Sequence, residues 1–303
     1  MSGAPGFIGR YAPSPTGLLH LGNARTALLA WLQARQARGT LLLRIEDLDP
    51  DRSRPEHVQT ILEDLGWLGL DFDGPLLRQS QRGALYEDAL TKLRAANRVY
   101  PCWCSRAEVA AAASAPHAGE DGPVYPGTCA KFLPGSPPPP GKEGRAPAWR
   151  FRVEPGVERF VDEVHGPQEQ DVAAAVGDFV VRRLDGVAAY QLAVVVDDAL
   201  SHVNHVLRAD DLIQSTFRQL QLYRALGWPP PSYAHVPLMF GDDGKRMAKR
   251  SGAQTVRAYR EAGRSSEEVV GALAASVGLG DGRPVKPAAL LDGFSLSRLA
   301  AES

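Results

Sequence analysis

Apolar and polar positions along the chain follow two periods. Phe7 to Tyr11 and Thr40 to Ile45 are short apolar runs, of the length that suits buried parallel strands. Between them Ala24, Leu28, Leu29 and Leu32 recur at helical spacing from about Gly22, and Gly39 closes the helix. Strand, helix and strand in this order predict a right-handed crossover unit. Further helices are expected from about Arg54 to Leu65, Ser80 to Asn97 and Gln214 to Leu226. Trp149 to Val153 and Val157 to Val164 read as strands of an inserted module, and Ala188 to Val196 as another buried strand. Arg208 is placed just after one more predicted strand. Residues 134–147 are rich in Pro and Gly and read as a loop. From Ala253 onward the pattern is helical with polar breaks, and no internal repeat is visible.

Composition narrows the class. The 303 residues are 44% hydrophobic, an ordinary globular balance, and the length suggests roughly two domains. A formal net charge of −1 excludes a globally basic nucleic-acid binder, so any such contact needs a local patch. The late residues Lys245, Arg246, Lys249, Arg250, Arg257, Arg260 and Arg264 supply a candidate. Residues Met1 to Arg10 lack the apolar core of a signal peptide, and no apolar run reaches the roughly 18 residues of a membrane helix. The expectation is a soluble, cytoplasmic protein, monomeric and without a membrane partner. Its three cysteines fall between Cys102 and Cys129. An odd, clustered count argues against a disulfide framework and for metal binding or reactivity.

Candidate chemistry concentrates in three places. From Arg10 through Pro13, Ser14, Pro15 and Gly17 to His20, Gly22 and Asn23, a strand passes through a Pro/Gly turn into a helix N-terminus. Free N–H groups and the dipole there suit phosphate, and His20 can donate to a phosphate oxygen as charge develops. A basic loop, Lys245 to Ser251, follows Gly241 to Gly244. In isolation it reads as a solvated loop. Arg10, Glu46 and Arg208 each fall near the end of a predicted strand, where open parallel sheets bind ligands. Arginine forks recognise carboxylates, Glu46 can pair with an ammonium, and Tyr190 offers an aromatic wall with a hydroxyl. Taken singly, each reads as readily as a surface ion pair.

Together these segments resemble the class I aminoacyl-tRNA synthetases, in the version of the glutamyl and glutaminyl branch. His20 and Asn23 stand at the two histidine positions of the "HIGH" signature, with Asn23 the departure. Arg246 to Arg250 resemble "KMSKS", with Arg246 for the first lysine and Ala248 for the serine. The blocks Arg44 to Asp49, Tyr190 to Asp198 and Val206 to Asp211 resemble glutamyl-tRNA synthetase segments in that family's order. The resemblance implies an α/β fold. A Rossmann-type parallel sheet catalytic domain would be split into residues 1–100 and 181–252, around an inserted zinc-containing α+β module at 101–180. A short C-terminal helical stem would follow at 253–303. It implies glutamate binding by Arg10, Ala12, Ser14, Glu46, Tyr190 and Arg208, with Tyr11 and Pro13 in the same segment. ATP binding would fall to His20, Gly22, Asn23, Arg246, Met247 and Lys249, with Mg²⁺ accompanying the nucleotide. His20, Asn23 and Lys249 would be catalytic.

For the cysteines, Cys102, Cys104 and Cys129 with Tyr125 could complete a tetrahedral shell, or the thiols could be buried and metal-free. The same pattern resembles the zinc module of the glutamyl-Q tRNA(Asp) synthetase group and implies one structural zinc. That group also matches the short span beyond the lysine loop, and implies glutamate transfer to queuosine of tRNA(Asp). A truncated glutamyl-tRNA synthetase charging the 3′ end, or a non-catalytic glutamate or nucleotide sensor, remain open alternatives.

Overall fold

The computed structural model describes residues 6–105, 107–109, 124–239 and 254–299. The chain opens with β1 (Ile8–Tyr11), α1 (Leu21–Gln36), β2 (Thr40–Ile45), α2 (Pro55–Trp67), β3 (Leu77–Arg78) and α3 (Gly83–Ala95). Strands β4 (Val99–Cys102), β5 (Ala148–Phe151), β6 (Val157–Asp162), β7 (Gly166–Asp171) and β8 (Val180–Arg182) follow. A buried helix, Tyr190–Leu200, leads to β9 (His205–Ala209), the helix Ile213–Leu226 and β10 (Ser232–Val236).

Seven strands form the main sheet in the order β3-β2-β1-β9-β10-β6-β7. All run parallel except β7, which pairs antiparallel with β6. The chain leaves β1 through α1 to β2 on one side and returns to β9 on the other. The strand order therefore reverses beside β1, and the crevice at the carboxyl ends of β1 and β9 is the switch point of the sheet. Gly39 makes the first return possible. A Cβ there would lie 2.5 Å from the Phe7 carbonyl oxygen, blocking the turn that lets the Thr40 N–H donate to that oxygen at 2.9 Å.

Strands β4, β5 and β8 form a separate antiparallel sheet. It shares a core with the helices through Leu93, Val99, Phe151, Val181, Leu192 and Leu222. Past the lysine loop, the helices Val256–Glu261 and Ser266–Ala275 are present as expected. Val270 and Leu273 of the second pack into the core formed with α1. Ser265 and Glu268 close a reciprocal capping box at its start. No described helix is long and apolar enough to cross a membrane.

Three expectations change. Ala188 to Val196 is not a strand: the segment is the first part of the helix Tyr190–Leu200, in which every residue from Gln191 to Asp198 is buried. A helix buried all round loses its amphipathic stripe, so its apolar run mimics a buried strand. Val157 to Val164 does form a strand, β6, but it joins the main sheet, with Asp162 paired to Tyr233 of β10. Arg208 also lies within β9 rather than after it.

Candidate active site

A cleft of about 320 Å³ opens at the switch point. Its lining includes Arg10, Tyr11, Ala12, Pro13 and Ser14 from β1 and the turn after it, Glu46 after β2, Tyr190 at the head of its helix, and Arg208 on β9. His20, Gly22 and Asn23 line the same cleft, as does Met239. Residues far apart in sequence are thus brought to one site by the parallel register of β1, β2 and β9. Arg246, Met247 and Lys249 lie outside the described residues.

The floor is a buried ionic network. Asp198 receives Arg44 Nη1 at 2.5 Å and lies 3.4 Å from Arg10 Nε. Arg44 Nη2 also donates to Glu46 at 3.1 Å. The neighbouring Asp197 accepts from Arg82 Nε at 2.5 Å, Gln79 Nε2 at 2.8 Å and the Tyr86 hydroxyl at 2.9 Å. Burial alone would raise the Asp198 carboxyl, but Arg44 and Arg10 hold it below its ordinary value. For Glu46 burial wins over Arg44 and Arg10 and leaves its carboxyl raised. An arriving cation would act with Arg44 and Arg10 to pull it back down.

Arg208 is different. It is 4% exposed, and its Nη2 donates to the Thr216 hydroxyl at 2.8 Å and its Nε to His235 at 3.0 Å. Nη1 has no hydrogen-bond partner, and among the described residues no carboxylate pairs with the guanidinium. Arg208 lines the cleft, and a buried cation with an unused donor nitrogen is costly unless an anion arrives.

At the other end of the cleft His20 caps α1, its Nδ1 accepting the Asn23 N–H at 3.2 Å. That bond places the ring proton on Nε2, which makes this nitrogen a donor. Gly22 sits close beneath: a Cβ there would lie 3.2 Å from His20 Nδ1 and 3.5 Å from Met239 Cβ. His20 also bridges to Thr255, so the chain following the lysine loop returns to the same corner. Of the late basic residues, Arg257 and Arg264 are matched by Glu261 at 3.0 Å and Glu268 at 3.1 Å, which weakens the proposed patch at its described end.

Away from the cleft, the sulfurs of Cys102, Cys104 and Cys129 all lie within 4.8 Å of one another. Cys104 and Cys129 are 3.6 Å apart at Sγ, and all three are free thiols. The Tyr125 hydroxyl stands 3.4 Å from Cys102 Sγ and 3.8 Å from Cys104 Sγ. Tetrahedral zinc with Zn–S bonds of about 2.3 Å sets sulfur–sulfur edges of about 3.8 Å and sulfur–oxygen edges of about 3.5 Å. The four groups therefore fit such an ion. Burial, with the adjacent thiols, pushes Cys104 up to about 12, a repulsion that a divalent cation would relieve.

The chain matches the family described as tRNA synthetases class I (E and Q), catalytic domain, over residues 8–279. It is 52% identical to the glutamyl-Q tRNA(Asp) synthetase of Symbiobacterium thermophilum, across 98% of this chain and 94% of that one. The chain belongs to the glutamyl-Q tRNA(Asp) synthetase family of class I synthetases. It is a ligase. The same-named protein of Rhodopirellula baltica is 50% identical over 89% of this chain and 84% of that one. Among solved structures, the glutamate tRNA ligase of Elizabethkingia meningosepticum, in complex with its amino acid, superposes with a TM-score of 0.83. It is 26% identical, and the match covers 97% of this chain and 66% of that longer one.

The acids that build the floor of the cleft carry no mark in the sequence. Asp197 and Asp198 follow the apolar run of their helix, but their partners Arg44, Gln79, Arg82 and Tyr86 are more than a hundred residues away. Nothing local marks such pairs.

Proposed function

We propose that the chain activates L-glutamate with ATP, without needing tRNA, and transfers the glutamyl group to queuosine in the anticodon loop of tRNA(Asp). The observation that carries the first step is the unpaired Arg208 Nη1 in a cleft where Arg10 and Arg44 already face carboxylates. One substrate carboxylate takes that donor, and the ammonium takes Glu46. Tyr11, Ala12, Pro13 and Ser14 line the wall beside it, and Tyr190 covers it. The other carboxylate attacks the α-phosphorus of ATP in line, and pyrophosphate leaves. His20 Nε2–H and Lys249 stabilise the departing charge, with Asn23, Gly22, Arg246 and Met247 around the nucleotide. Mg²⁺ bound with ATP would supply further neutralisation. A queuosine hydroxyl then attacks the adenylate carbonyl, AMP leaves with the bonding pair, and placement does most of the work.

Support for the acceptor comes from relatives of about half-identical sequence that span nearly the whole chain and carry this name. In the same reading Cys102, Cys104, Tyr125 and Cys129 hold one structural zinc, a cross-link that orders the inserted segment. Labelled glutamate offered with ATP to tRNA(Asp) tests the proposal. Transfer is expected only when queuosine is present, after pyrophosphate exchange that proceeds with no tRNA. Efficient charging of queuosine-free tRNA at its 3′ end would overturn the acceptor assignment, and exchange that needs tRNA would overturn the first step.

A further inference from the structure

Arg208 and His235 are register partners on the adjacent parallel strands β9 and β10, so their side chains rise side by side from one face of the sheet. His235 is 0% exposed. Its Nδ1 lies 2.6 Å from Asp162 Oδ2, and its Nε2 lies 3.0 Å from Arg208 Nε. A guanidinium nitrogen can only donate, so Nε2 must be the accepting nitrogen and Nδ1 carries the proton that goes to Asp162. Asp162 comes from the end of β6. Its Oδ1 accepts the N–H groups of Val164 and His165, each at 3.0 Å, and that of His235 at 3.2 Å. The carboxylate is therefore fixed by backbone, the imidazole by the carboxylate, and the guanidinium by the imidazole.

We propose that His235 and Asp162 are positioning residues for the amino-acid substrate, holding Arg208 at the cleft with Nη1 left unpaired and its positive charge undiminished. This rests on the reading of Arg208 as the carboxylate anchor. An acid placed directly on Arg208 would fix it equally well, but would compete with the substrate carboxylate. A neutral imidazole between the two fixes the rotamer and keeps the acid at the far end of a two-bond chain. The groups around the ring agree with neutrality. Arg208 faces it from β9, Thr216 from the helix Ile213–Leu226 at 3.3 Å, Tyr233 stacks along β10, and Phe160, Asp162 and His165 close the side of β6. Burial and Arg208 lower the imidazole to about 4 against the pull of Asp162, so it stays neutral through the physiological range.

The sharpest variant is Asp162→Asn. Its amide would place an N–H₂ either against His235 Nδ1, forcing the opposite tautomer and turning Nε2 into a donor aimed at Arg208 Nε, or against the N–H groups of Val164 and His165. His235→Gln keeps an acceptor for Arg208 and serves as the conservative comparison. Glutamate-dependent pyrophosphate exchange is measured for the wild-type protein and both variants, with thermal melts to check folding. Expected for Asp162→Asn is a rise in KM for glutamate of about tenfold or more, the scale of a misplaced recognition group, with KM for ATP within about twofold. His235→Gln should fall between it and the wild type. Equal movement of both KM values, or of neither, in folded variants overturns the proposal. Lack of glutamate exchange by the wild-type protein would instead overturn the reading of the substrate, and the inference with it. Should the variants not fold, ¹⁵N NMR of the wild-type imidazole decides. The proton is expected on Nδ1 at neutral pH, and a proton on Nε2 overturns the assignment.

Discussion

Arg44 and Asp198 meet at 2.5 Å in the core, joining β2 to the last turn of the helix Tyr190–Leu200. Two acids at a helix C-terminus oppose the macrodipole, and here the arginines answer for both. Removing one member of such a buried pair leaves the other uncompensated, at a cost of about 3–5 kcal/mol. Asp198→Asn is therefore expected to lower the unfolding free energy by about that amount in urea titration. A loss below about 1 kcal/mol, the scale of an exposed pair, would mean that Asp197 and Glu46 suffice for Arg44.

Truncating Arg208 should remove recognition and spare the fold of the nucleotide corner. Arg208→Ala is expected to cost about 2–5 kcal/mol of glutamate binding, read as a more than tenfold fall in glutamate-dependent pyrophosphate exchange. Arg208→Lys should not restore it, because an ammonium cannot hold His235, Thr216 and a carboxylate with one planar fork. Full activity of the lysine variant would show that charge alone suffices.

Freshly purified protein is expected to carry close to one zinc per chain by elemental analysis. Cys104→Ser should lower metal content and melting temperature together, since metal binding is folding energy in a closed site. A chelator should reproduce the melting shift in the wild-type protein and leave the variant nearly unmoved. Protein that melts identically with and without chelator would argue for bare thiols.

Asp64 predicts a pH dependence. It is 1% exposed on α2, neither carboxylate oxygen has a hydrogen-bond partner, and Arg257 and Arg260 are close on the packed helix Val256–Glu261 with Glu63 and Glu261 opposing them. Burial raises its carboxyl to about 6 from 3.8. The folded state therefore keeps this proton longer than the unfolded chain, so the contribution is most favourable below pH 4 and declines as pH rises through about 6. Asp64→Asn should melt higher than the wild type above that range, with the gap closing as pH falls towards 4. A gap that does not change with pH would assign the effect to packing.

What was legible in the sequence was contiguous. The turn from Arg10 to Asn23 carries its chemistry in one stretch, and the structure sets Arg10, Pro13, Ser14, His20, Gly22 and Asn23 along the cleft, while Pro15 and Gly17 do not line it. Val194, Val195 and Val196 were misleading because β-branched residues in a buried run fit a strand as well as a helix. The roles of Asp162 and His235 were not legible. Each is an unremarkable residue in its own segment, and only the pairing of β6 with β10 brings them together. The zinc-type cluster was legible as a set, because Cys102, Cys104, Tyr125 and Cys129 share one short segment, while the Cys129 N–H that holds the Tyr125 hydroxyl at 2.9 Å was not.

Arg10 and Arg208 stand on neighbouring strands whose separation is set by main-chain hydrogen bonds at about 4.8 Å. The sheet thereby acts as a caliper for whatever lies across it. Exchanging a side chain changes what stands at either point, but the distance between the two backbone positions belongs to the sheet. Altering it takes a shift of strand register, which turns side chains to the opposite face and undoes the core beneath.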